Sequence, residues 1–402
     1  MSVDTNTAPS PIHLLRTHSS SISALYISDD NERIYSGDAS GEVICTSTRS
    51  LRPVSSWKAH TDSLLGIEEF GSQIITHGRD NKLHVWNRTE DVSTSVNLGG
   101  PDLLDQPEPS LGYSMDVNAL NYCRFSLMPT SGCEVSSSSI RASSQALIAL
   151  PNLVESSQAD VWSLPSQDRL HAAIGNQKKR SIFSDGRGGE SATGIIMSLH
   201  LFQSPNNKND YNSTQNSSQL RLLLAYESGT VALRQYTGSE WDLSVEGKGW
   251  DVLWEVKLHK EAIMAMRVSR DNSFALTVSA DHIVGRYDLV AASSDVSRFT
   301  EHPTKHPGNG SIALRDDGRV CGIGGWDGRI RLFSTRKLKP LGTLKYHKQN
   351  CNALEFARSF PSGGVGKEDD MSEDELARRG RWLLGGSADN RVSIWELITF
   401  EK

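Results

Sequence analysis

One local frame recurs along this chain and restricts its fold more than any bulk property does. It is a turn residue followed six positions later by a large side chain on the next strand. "HGRDNKLHVWN" carries Asp80 and Trp86, "SADHIVGRYD" carries Asp281 and Tyr287, "GWDGRIRLF" carries Asp327 and Phe333, and "SADNRVSIWE" carries Asp389 and Trp395. Around Asp327 the flanking runs alternate apolar and polar residues, the period of a half-buried strand. Asp327-Gly328 is itself a strong hairpin dipeptide, because glycine accepts positive φ and the aspartate side chain bonds nearby backbone amides. Two weaker copies keep the frame with serine at the turn, Ser40 and Ser228, and a degenerate copy in "ALPNLVESSQADVWSL" puts Trp162 at the aromatic position. Seven copies result, about 40 to 75 residues apart.

Each unit reads as four short strands; in the sixth they are residues 310–315, 320–325, 329–334 and 341–346. A histidine often precedes the first strand: His18, His60, His259 and His347. Such units predict an all-β chain folded as a seven-bladed β-propeller. The frame of His60, Asp80, Trp86 and Asn87 resembles a near-complete repeat of the WD-repeat family. The last unit ends at "RVSIWELITFEK" without a fourth strand, and "PIHLLRTH" stands unassigned before His18. Residues 12–17 are therefore expected to complete the seventh blade, closing a ring that leaves no sheet edge to aggregate.

The rest of the sequence fits one domain over 11–402 behind a disordered tail, 1–10. Polar insertions at about 130–145, 176–191, 204–219 and 361–380 are expected to be flexible loops. Within the charged stretch 367–381, Ser372 and Glu375 form a capping box for one short helix. A net charge of −6 is not the footprint of a nucleic-acid binder, and no apolar run reaches membrane-spanning length. The N-terminal sequence lacks a signal-peptide layout. Five cysteines without a CxxC pair point to a reduced intracellular compartment, with Cys45, Cys321 and Cys351 as buried hydrophobes.

His60, Thr76 and Asp80 have the residue types of a hydrolytic triad. The family resemblance implies instead that they join Trp86 in a buried network tying loop to turn. Asp281, Asp327, Asp389 and Trp395 fall on the same frame as turn and aromatic positions. No catalytic, cofactor or metal site is expected, because the glycine-rich stretches lack the strand-to-helix setting and lysine of a phosphate loop. Scattered His171, His200, His302 and His306 read as core or solvated histidines, and Lys178, Lys179 and Arg180 as a solvated loop or a nuclear import patch. Trp326 is the exception. It precedes a turn aspartate where other copies carry Ala39, Arg79, Glu227, Ala280 and Ala388, so Trp326 and Arg79 are the expected partner contacts.

Residues 192–202, 222–236 and above all "HPGNGSIALRDDGRVCGIGGWDGRIRLF" resemble one branch of the WD-repeat family, the fungal ASTRA-associated proteins and their animal G-protein-β-like relatives. The resemblance implies a non-enzymatic scaffold subunit of a nuclear ASTRA-type assembly, with the cytoplasm as a second location. It implies roles in chromatin regulation and in maturation of phosphatidylinositol-kinase-like proteins. RuvB-like AAA+ ATPases, Tel2-type cochaperone proteins and the kinases themselves would be the partners, without direct nucleic acid or membrane contact. A substrate receptor or histone-reading adaptor of another complex is the alternative. A heterotrimeric G-protein β subunit would need an N-terminal coiled-coil helix, which the residues before the first strand do not supply.

Overall fold

A computed structural model describes residues 9–89, 107–120, 122–130, 145–175, 193–204, 219–239, 241–290, 298–359 and 373–398. The expected β-propeller is present as seven four-stranded antiparallel sheets. In six of the sheets the strands lie in chain order, each pairing with the one before it, and the seventh takes its fourth strand from the other end of the chain.

Sheets 1, 2, 6 and 7 fall in one compact unit, residues 1–114 and 305–402. Sheet 1 consists of Ile22–Ile27, Arg33–Asp38, Glu42–Ser47 and Pro53–Lys58. Sheet 2 consists of Leu64–Phe70, Gln73–Gly78, Lys82–Asn87 and Ser110–Asp116, the last reaching just past the boundary. Sheet 6 consists of Asn309–Leu314, Val320–Gly325, Arg329–Ser334 and Pro340–Lys345, so its first and last strands begin one residue earlier than the sequence pattern predicts. Sheet 7 contains Cys351–Phe356, Trp382–Ser387 and Val392–Glu396. Its fourth member is His13–Leu15, which pairs His13 with Ile394, Leu14 with Ser393 and Leu15 with Val392. The closing strand is thus shorter than 12–17, although the Ile12 amide also donates to the Ile394 carbonyl.

The other unit, residues 115–304, holds sheets 3, 4 and 5. Sheet 3 comprises Ser126–Pro129, Ala146–Pro151, Ala159–Leu164 and Arg169–Ile174. Sheet 4 comprises Ile196–Gln203, Leu220–Tyr226, Thr230–Tyr236 and Trp250–Lys257, and sheet 5 Ile263–Val268, Phe274–Ser279, Ile283–Asp288 and Phe299–Pro303.

Inside each unit the apolar cores lie between successive sheets. Ile22, Leu25, Ile34, Trp382, Leu384 and Ile394 join sheets 7 and 1, and Leu147, Val161, Leu199, Leu222 and Leu224 join sheets 3 and 4. Second strands are covered on both faces, which explains why Ala146–Pro151 is buried throughout and carries no alternation. Cys45, Cys321 and Cys351 are buried, as the pattern predicts, and burial pushes the Cys321 thiol up to about 12.

One insertion is less detached than its composition suggests. The helix Glu373–Arg379 stands between the first two strands of sheet 7. Its Arg379 is buried, donating to Thr48 Oγ1 of the loop after sheet 1's third strand (2.9 Å) and to Glu375 (2.7 Å). The reading of 361–380 as a flexible loop is therefore corrected at its C-terminal end. Ser372 of the expected capping box, like most of the other insertions and the run Lys178–Arg180, lies outside the described residues.

Candidate functional site

Sheet 2 carries the complete polar network. The His60 ring meets Asp80 Oδ1 through Nδ1 (2.9 Å) and Thr76 Oγ1 through Nε2 (2.8 Å), and Trp86 Nε1 donates to the same hydroxyl (2.9 Å). An ionised Asp80 accepts only, which assigns the imidazole proton to Nδ1 and leaves Nε2 to accept from Thr76. Burial disfavours the Asp80 charge, but the Thr61 amide and His60 outweigh it and hold the carboxyl below the ordinary range. Burial also lowers His60 against the pull of Asp80, so the ring is neutral. Thr76 is fully buried with its hydroxyl committed twice, so as a nucleophile it has no path to a substrate. The three residues are architecture.

The histidines also join neighbouring sheets. The His60 amide donates to the Gly41 carbonyl (3.1 Å), and a Cβ on Gly41 would sit 2.1 Å from the His60 carbonyl oxygen. With φ at +94° as well, only glycine fits that turn.

Sheet 5 builds the same network from the same backbone positions, and sheets 7 and 1 build it from different ones. In sheet 5, His259 meets Asp281 (3.2 Å) and Thr277 (2.7 Å), and Thr277 lies 3.2 Å from Tyr287 Oη. In sheet 7, His347 meets Asp389 (3.0 Å), but residue 385, where the second strand would supply the hydroxyl, is glycine. Ser393, directly opposite on the third strand, supplies it instead, accepting from Trp395 Nε1 (2.9 Å) and meeting His347 Nε2 (2.8 Å). In sheet 1 the partner of His18 is Asp38 at the strand end, not the frame position Ser40, which itself donates to Asp38. These bonds override burial and hold Asp38 at about 2.

Sheet 3 departs furthest. Trp162 is half-buried with the Arg169 guanidinium over its ring, and the buried polar centre is Asp160, bonded by Asn152 (2.9 Å) and the Ala173 amide (2.8 Å). In sheet 4 the position six after Ser228 holds a buried Arg234.

Asp327 is a turn residue, as its sequence context predicts, but no histidine braces it. Buried Arg331 donates to both carboxylate oxygens (3.1 and 2.5 Å), and the Arg329 amide donates to Oδ1. Trp326 beside it is 45% exposed. One face of its indole lies on glycine backbone, since a Cβ on Gly308 would come within 2.8 Å of the ring and one on Gly310 within 3.1 Å. The other expected contact, Arg79, is exposed while its amide donates to the Ser63 carbonyl. The structure brings Trp326 and Arg79 into no common site; each occupies its own sheet's turn.

Asp80, His60 and His84 place ligand-type atoms within 4.8 Å of one another, an approach the sequence spacing did not reveal. His60 already uses both ring nitrogens, so a metal there would have to break the network. His200 bonds Asn272 (3.0 Å), with burial pushing it down to about 4, and His171 packs among Tyr236 and Trp250. A surface missed by sequence reasoning is the segment 241–253, where Trp241, Leu243, Val245, Val252 and Leu253 are exposed. Its apolar alternation in "WDLSV" was the available signal.

Known proteins bear out this architecture. The profile of the WD domain, G-beta repeat, matches residues 9–45. ASTRA-associated protein 1 of Verticillium alfalfae is 30% identical over 416 residues, covering 97% of this chain and 93% of that protein. The proteins of the same name from Aspergillus flavus (29%; 99% and 100%) and Schizosaccharomyces pombe (27%; 97% and 99%) align over similar spans. A likeness of that extent covers every sheet and the closing strand, and the chain accordingly belongs to the ASTRA-associated protein 1 family of WD-repeat proteins.

Proposed function

We propose that this protein is a non-enzymatic scaffold subunit of a nuclear ASTRA-type assembly. In that role it holds RuvB-like AAA+ ATPases, Tel2-type cochaperone proteins and phosphatidylinositol-kinase-like proteins together, serving chromatin regulation and maturation of the kinases. The supporting observation is the full-length likeness to proteins named for ASTRA association, which a shared generic repeat would not produce. The buried, mutually satisfied networks fit a platform better than an active site, since propellers act mainly through their surfaces.

Trp326 is the proposed contact on this platform. Its ring already packs against Gly308 and Gly310, which reduces the side-chain entropy lost on binding. Removing such an anchor costs about 2 kcal/mol or more, roughly a 30-fold loss of affinity.

The test is affinity purification of the tagged protein from its native cells, followed by mass spectrometry. RuvB-like ATPases and Tel2-type proteins should copurify, and Trp326→Ala should deplete them at an unchanged melting temperature. Asp327→Ala is the control, lowering stability because Arg331 is left buried without its carboxylate. Copurification of a ubiquitin ligase or of histones alone would refute the assembly and favour the adaptor reading. Early melting of Trp326→Ala with partners retained would make the indole a packing residue.

A further inference from the structure

Residues 241–249, between the last two strands of sheet 4, are docked although all but Ser244 reach solvent. Its backbone docks on the edge strand of sheet 3: Ser244 donates to the Leu170 carbonyl and accepts from the Ala172 amide (both 2.8 Å), and the Gly247 amide donates to the Ala172 carbonyl. Ser244 and His171 form a parallel bridge. Below it, His171 packs edge-on against Tyr236 and Trp250, with ring centroids 4.5 and 5.4 Å away, and all three are buried. The segment thus behaves as a short fifth strand with Ser244 facing inward.

Its outward side chains are apolar: Trp241 is 43% exposed, Leu243 75% and Val245 60%. Val252 and Leu253 follow, exposed on the last strand of sheet 4. Carboxylates are interleaved with them. Asp242, Glu246, Asp251 and Glu255 are exposed over the same stretch, against Lys248 and Lys257. Large apolar groups held to solvent on a pinned backbone gain nothing in the free protein, and contiguous patches of this kind mark interaction sites.

We propose that residues 241–255 form a second docking surface, which takes an extended segment of a partner protein bearing alternating apolar and basic side chains. The charge excess selects the basic partner, and the terminal position of Trp250–Lys257 in its sheet offers an edge for an added strand. The surface shares no residue with the Trp326 turn and does not depend on the identity of the assembly.

The probe is a fluorescein-labelled peptide of alternating leucine and lysine, titrated into the full chain beside leucine–glutamate and serine–lysine counterparts. The leucine–lysine peptide should bind at least ~10-fold more tightly than either counterpart. Leu243→Ser/Val245→Ser should erase that margin at an unchanged melting temperature, because both side chains are exposed. Asp251→Asn/Glu255→Gln should weaken binding several-fold and flatten its salt dependence. Equal binding of the three peptides, or an unaffected Leu243→Ser/Val245→Ser variant, overturns the proposal. So does a dimer in sedimentation that this variant dissolves, since the occupant would then be a second copy.

Discussion

Ser393→Ala isolates the displaced hydroxyl of sheet 7. Ser393 is fully buried, and its oxygen is shared by His347 Nε2 and Trp395 Nε1, whose residues are also buried. Alanine keeps the backbone and almost all the volume, so the loss is polar. Each buried partner left unsatisfied costs about 1 to 3 kcal/mol, and the two together about 2 to 4 kcal/mol after relaxation. The assay is urea denaturation of the full chain followed by tryptophan fluorescence, with the midpoint falling and the slope unchanged.

A second substitution distinguishes a missing hydroxyl from general damage. Adding Gly385→Ser returns a hydroxyl to the second strand, the position that Thr76 and Thr277 occupy in sheets 2 and 5. A Cβ there would meet Ser393 Oγ at 3.0 Å, a contact that Ser393→Ala removes, and Ile330 Cδ1 at 2.6 Å, the end of a side chain able to turn away. Gly385→Ser alone should therefore destabilise by overpacking, while the double variant recovers part of the Ser393→Ala loss. A Ser393→Ala protein as stable as wild type, or a double variant worse than both singles, would refute this account of the network.

Deleting residues 1–16 removes the strand His13–Leu15 but spares His18, and it should lower the melting temperature strongly, whereas deleting 1–9 should not; matching melting curves would rule out closure by that strand. Arg379→Ala should cost about 1 to 2 kcal/mol in the same urea assay, below the usual loss for a buried ion pair because its partner Glu375 is half exposed; no change would mean the helix is not docked. Acid should destabilise the protein in two stages. Burial holds neutral His60 and His259 below, and His200 near 4 against, the ordinary 6.5, so the unfolded chain gains protons first and stability declines as pH falls from about 6.5. Asp38, near 2, and the depressed Asp80 and Asp281 then add a loss below about pH 4; a urea midpoint constant from pH 7 to 4.5 would contradict the first stage.

The hairpins were legible because a turn residue, its neighbour and the two flanking strands are local. Asp80, Asp281, Asp327 and Asp389 all sit at the turns their spacing indicates. The closing strand was legible from a missing partner at one end and a spare strand at the other. The bracing of the turns was not. A network needs a carboxylate and a hydroxyl at points in space, and several backbone positions reach each point. Asp38 arrives from a strand end, Ser393 from across the ladder, and Arg331 replaces an imidazole with a guanidinium. Aligning by position sees only the commonest solution. Sheet 3 was least legible because Asp160 is braced from connecting segments, by Asn152, whose carbonyl in turn accepts from Asn118 after the last strand of sheet 2.

The pairing of Leu14 with Ser393 and of Leu15 with Val392 also sets an order of events during synthesis. His13–Leu15 leaves the ribosome more than 370 residues ahead of its partner, Val392–Glu396, and must wait for it. At about 5 to 20 residues per second that delay is on the order of tens of seconds. Throughout it, Ile22, Leu25 and Ile27 present an apolar flank whose covering residues, Trp382, Leu384 and Ile394, have not been made. The nascent protein thus carries a sticky surface until sheet 7 is made, a window in which a chaperone has reason to hold it.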